Sequence, residues 1–121
     1  MTSLEATMNW LAKRLADAPP ELAADVRALV HGVAGDETDQ SGEGVPTLLV
    51  RASLAGLEEV IDGLGRRDSA LRLLSADAAL TFAFEAMADL GGDVEELCQR
   101  LGPGGEFGRR LAGASSTGDD A

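Results

Sequence analysis

The side chains that could carry chemistry are few, and their spacing decides what they can do. The chain holds one histidine, His31, one cysteine, Cys98, and no tyrosine. Nucleophilic catalysis needs a nucleophile, a base and a charge stabiliser converging on one point, and this inventory leaves little material for it. No catalytic residue is assigned, and an enzyme is the least supported reading. His31 falls near the C-terminal end of a helix-forming segment, where the helix dipole mildly favours its charged form. Cys98 stands in an apolar-periodic stretch and reads as a small packed hydrophobe rather than a reactive thiol.

Carboxylates are plentiful: 21 acids stand against 10 Lys and Arg, for a formal net charge of −11. Asp77 and Glu85 are the best candidates for unusual ones, because they interrupt an apolar helical pattern. They lie about 12 Å apart along a helix axis, too far to share a proton and beyond the separation that glycoside inversion uses. Arg51 and Arg72 are the cations expected to pair with them. Glu58, Glu59 and Asp62 share a helix, but a dimetal carboxylate bundle needs Glu-x-x-His motifs, and Ala28 stands three residues before the only histidine. Glu37, Asp39, Ser41 and Gly42 match part of a calcium-loop spacing. The bidentate acid at its twelfth position is replaced by Leu48, which leaves no complete loop. The glycines of GPGGEFGRR follow no strand and precede no Gly-Lys-Ser/Thr, so they read as a turn rather than a phosphate cradle. Neither metal nor cofactor is expected.

The elements that position these residues are helices. Of 121 residues, 45% are hydrophobic, mostly Leu and Ala, while β-branched and aromatic strand formers are scarce. Thr2 and Glu5 have capping-box spacing, and Leu4, Met8, Leu11 and Leu15 then recur at helical intervals, giving a helix over about 3–17 stopped by Pro19-Pro20. Pro20 opens a second helix carrying Leu22, Val26, Leu29, Val30 and Val33, with Gly35 at its end. Residues 36–44 hold no apolar side chain and read as an exposed loop. Pro46 restarts helix, with Val50, Leu54, Leu57, Ile61 and Leu64 in one stripe ended by Gly65.

Asp68 is expected to cap the fourth and longest helix, which runs to about Asp89. Two apolar arcs lie on it: Leu73, Ala76, Leu80, Ala83, Phe84 and Met87, and then Leu71, Leu74, Ala78 and Phe82. Asp77, Thr81 and Glu85 run between them. A helix apolar on two sides packs on two sides, so this one is expected at the centre of the bundle, or with its second arc against another subunit. Asp93 and Glu96 then cap a short helix through Val94, Leu97 and Leu101, closed by Gly102-Pro103. A last turn brings Phe107 and Leu111 to the core. The expectation is all-α: a compact bundle of four to five helices with one long central helix, one domain over 1–112, and a disordered acidic tail over 113–121.

Within the fourth helix, SADAALTFAFEAMA (Ser75 to Ala88) resembles a helix of the polyprenyl diphosphate synthases that begins Gly-Asp and continues Leu-Thr-x-Ala-Phe-Glu. Ala76 stands where that family has Gly, and no DDxxD motif for magnesium diphosphate occurs in the chain. The likeness therefore carries over neither function nor residues.

The charge and the segment types limit the partners. A net acidic chain lacks the Lys and Arg that neutralise phosphates, so nucleic acid and anionic membrane surfaces are excluded. No apolar run approaches the roughly 20 residues of a membrane span, and the N-terminus lacks the basic start and unbroken apolar stretch of a signal peptide. Abundant Ala, Gly, Arg and Asp resemble the usage of a GC-rich bacterial genome, and a bacterial cytoplasmic location is expected. The function expected is a non-catalytic helical module for protein interaction or self-association, its partner a second copy or one other protein. The candidate surface is Trp10 with Leu71, Leu74, Asp77, Ala78, Thr81, Phe82 and Glu85 of the long helix. Two other readings compete: a small-ligand carrier or sensor whose apolar pocket is gated by Asp77, Thr81 and Glu85, and an acidic antagonist of a basic protein.

Overall fold

The computed structural model describes residues 2–35, 44–63 and 65–119, with backbone only at 66–68, 111 and 114–119. Among the described residues six helices follow one another: α1 (Ser3–Leu15), α2 (Pro20–Gly35), α3 (Val45–Ile61), α4 (Arg66–Asp89), α5 (Val94–Leu101) and α6 (Glu106–Asp119). No strand occurs among the described residues. The all-α bundle with one long helix is therefore what forms.

Local chemistry sets most of the helix ends. Thr2 caps α1, its Oγ1 accepting from the Glu5 amide at 3.0 Å. Asp93 caps α5 by accepting from the Glu95 and Glu96 amides at 3.0 and 3.3 Å. At the far end of α4, the Gly92 amide donates back to the Met87 carbonyl at 2.7 Å while Gly91 takes φ +78, a left-handed turn that glycine adopts without strain. The start of α4 differs from expectation. Gly65 is its N-cap, with no side-chain hydrogen bond, and Asp68 lies inside the helix. The preceding reversal is made by Gly63 at φ +99, so α3 stops at Ile61 and its stripe ends early. Ile61 is consequently 48% exposed, and Leu64 lies outside the described residues.

The core is built around α3, which packs against α1, α2, α4 and α6. Val45, Leu48, Leu49, Val50, Ala52, Ser53, Leu54 and Gly56 of this helix are all buried. The longest helix, α4, packs against α2, α3 and α5. Its buried residues are small: Ser75, Ala76, Ala79, Ala83 and Ala86, at helical spacing along one side. They let α4 come close to α3. Gly56 shows how close, since a Cβ there would meet the Ala76 Cβ and a Leu29 methyl at 3.1 Å. The Ser53 hydroxyl, itself buried, crosses between the helices to donate to the Ala76 carbonyl at 2.7 Å.

At the C-terminal end, Phe107 is 2% exposed, as its sequence position suggests. It sits under the Arg100 guanidinium, 4.6 Å from the ring centre, while Arg100 also reaches Glu106. Its segment is a full helix, α6, where a half-formed turn was expected, and α6 packs on α3 and α5. The expected tail at 113–121 begins within the span of α6, and its side chains from Ala114 onward lie outside the described residues.

Candidate functional site

The candidate surface follows from which side of α4 the small residues occupy. With the alanines turned toward α3, the opposite side must face outward. There Leu73 and Leu74 stand 48% and 59% exposed, and Asp77, Thr81 and Glu85 continue the same exposed side toward the C-terminus. The two apolar arcs expected on α4 are thus redistributed. Ala76 and Ala83 of the first are fully buried, Leu80, Phe84 and Met87 are half-buried, and Leu73 falls outside. Of the second, Leu71, Ala78 and Phe82 are half-buried, and Leu74 is open.

Phe82 is covered by α1. The Trp10 ring meets it edge to face, with centroids 6.3 Å apart and planes inclined at 74°. The indole Nε1 donates to Asp89 Oδ2 at 3.0 Å, and the Arg14 guanidinium lies over the indole, 3.7 Å from the ring centre. Arg14 also pairs with Glu85 at 3.3 Å and reaches Asp89 at 3.7 Å. Trp10 and Arg14 therefore fasten α1 to the C-terminal half of α4, and neither is an unoccupied anchor. Glu85 belongs partly to this cluster, its side chain still 49% exposed.

Arginine pairing differs from the sequence expectation. Arg72 reaches across to α2 and α3 instead of Asp77 or Glu85, donating to Asp25 Oδ1 at 3.0 Å and to Glu59 Oε2 at 2.6 Å. Asp25 Oδ2 is buried and accepts no hydrogen bond. Arg110 of α6 pairs with Glu58 at 2.6 Å. Arg14, Arg72, Arg100 and Arg110 all bind acids of this same chain. Asp77 forms no ion pair among the described residues, and the chain from Leu73 to Asp89 contains no Lys or Arg. Along the outer side of α4, Leu73 and Leu74 are thus followed by Asp77, unpaired among the described residues, and by Glu85, which Arg14 holds.

The other chemical candidates do not come together. His31 is exposed on α2 and Cys98 on α5, so Cys98 is not the packed hydrophobe that its periodic surroundings suggest. No group of three or more metal-ligating side chains occurs among the described residues. The partial calcium-loop spacing at 37–42 lies outside them. Among the described residues, two clefts of ≈ 310 Å³ each indent the bundle. One lies where the start of α3 meets the end of α4, lined by Val45, Pro46, Met87 and Leu90. The other runs between α2 and α3, with Leu29, Gly32, Ala55, Glu59 and Arg72 on its walls. Asp77, Thr81 and Glu85 line neither cleft, and both volumes fall at the lower edge of small-ligand sites, about 300 Å³. Among the described residues no helix is long and apolar enough to cross a membrane.

Comparison with known proteins returned no matching family model, curated protein or solved structure.

Proposed function

We propose that this chain is a non-catalytic protein-interaction module of the bacterial cytoplasm whose contact surface is the outer side of α4. The carrying observation is the adjacent exposure of Leu73 and Leu74 at 48% and 59% on the longest helix of the bundle. Single exposed leucines are ordinary on protein surfaces, but two neighbours with the half-buried Leu71 form a small apolar patch rimmed by polar residues, a pattern typical of docking sites. The scarcity of convergent reactive groups supports a binding role over catalysis.

A photoreactive benzoylphenylalanine placed at Leu74 tests this in native host cells. The expected result is a discrete protein adduct at position 74 and none when the probe replaces Gln99, which is exposed on α5. Equal labelling at both positions, or none at either, overturns the proposal. The mass of the adduct separates a second copy of the chain from a different protein.

A further inference from the structure

Resting on that reading, we infer that the partner of the outer α4 surface is a second copy of this chain, its own α4 running antiparallel. The exposed side of α4 passes through Ala70, Leu74, Asp77 and Thr81, and Arg67 takes the next position on this register toward the N-terminus. These positions are alternately three and four residues apart, the repeat with which one helix packs knobs into holes on another. From Arg67 through Leu74 to Asp77 the stripe is basic, then apolar, then acidic. Such an order is complementary to itself only when reversed.

A two-fold axis beside residue 72 satisfies all the layers at once. It sets Arg67 of each chain level with Asp77 of the other, and Ala70 level with Leu74, so a small residue faces a large one in both central layers. Leu73 and Leu74, 48% and 59% exposed in the single chain, lie at the middle of this contact. Glu85 falls beyond the matched segment and keeps its pair with Arg14. A parallel arrangement fails, because it sets Arg67 on Arg67 and Asp77 on Asp77. Leucine burial supplies the affinity, and the charges at the two ends fix the direction. The contact is about three turns long, and both chains are acidic, so the dimer is weak, with Kd on the order of 100 µM.

Sedimentation equilibrium of the full chain, up to about 500 µM, reads the dimer. Asp77→Arg and Arg67→Asp are each expected to weaken it about tenfold, although the first lowers the overall negative charge and the second raises it. An equimolar mixture of the two variants is expected to recover dimer, because each chain then meets opposite charge at both ends of the stripe. Recovery also shows that both variants fold. Leu74→Ser is expected to weaken the dimer about tenfold. Direction is read by mixing Ala70→Cys with Leu74→Cys, each in a Cys98→Ser chain, and oxidising in air. Mass spectrometry is expected to find the mixed disulfide in excess of both same-position disulfides. A parent that stays monomeric, charge variants that follow net charge, a mixture that fails to recover, an unaffected Leu74→Ser dimer or an excess of same-position disulfides each overturns the assignment. If the parent is monomeric while photocrosslinking at position 74 still captures another protein, the second copy falls and the interaction surface stands. Loss of the crosslink as well removes both.

Discussion

Replacing Trp10 separates a docking residue from an internal fastening. Three contacts are lost in Trp10→Ala: the edge-to-face pair with Phe82, the stacking of Arg14, and the hydrogen bond to Asp89. An aromatic pair contributes about 1 kcal/mol beyond its area, an exposed cation–π contact about 0.5, and a hydrogen bond to a partly exposed carboxylate about 1. The substitution should therefore cost about 2.5 kcal/mol and lower Tm by about 10 °C in a domain of this size. Trp10→Phe keeps an aromatic edge against Phe82 and loses the donor, so about 1 kcal/mol is expected. Because the chain has one tryptophan, unfolding should be followed by far-ultraviolet circular dichroism in urea for all variants. A Trp10→Ala cost below about 1 kcal/mol would refute the fastening. Equal costs for the two substitutions would show that the indole N–H, rather than the ring, ties α1 to α4.

Two further predictions concern the packing and the caps. Ala83→Leu, at a position with 0% exposure, should cost about 2 kcal/mol or more by forcing α3 and α4 apart, whereas Ala88→Leu on the exposed side should stay within about 0.5 kcal/mol. Thermal melts of the pair check this, and similar melting temperatures would deny the close approach. Asp93→Ala should cost about 1 kcal/mol and speed hydrogen exchange at the Glu95 and Glu96 amides, while Asp93→Asn, which keeps an acceptor, should leave both near the parent values. Unchanged exchange in Asp93→Ala would mean that the cap is not what holds the start of α5.

The helices and several of their ends were legible in the sequence because they depend on neighbours along the chain. Thr2, Pro20 and Asp93 act within a turn of their own position. The orientation of α4 was not legible, and the reason is physical. Hydrophobic periodicity weights large side chains, so Leu73 and Leu74 were drawn into buried arcs. In the folded chain the bulk at the interface comes from α3, and α4 answers with Ala76, Ala79, Ala83 and Ala86, whose small size permits the approach. Partner choice among arginines was equally hidden. Arg72 bridges Asp25 and Glu59, 47 and 13 residues away, contacts that no spacing rule encodes. For the candidate surface, Leu74 and Asp77 were found by their types and spacing. That Trp10 and Phe82 cover one another depended on where α1 lies.

The alanine seam has a consequence for recognition. Alanine has no side-chain rotamers to lose, and a hydroxyl bridge from Ser53 holds the two backbones in register, so the α3–α4 pair carries little conformational slack. The backbone beneath its outward side is therefore held closely against α3. An incoming helix would meet a backbone that need not order itself, and little of the entropic penalty of complex formation would fall on the bundle. Discrimination at such a surface rests on shape and charge already in place, and a partner could be admitted or refused without the bundle changing form.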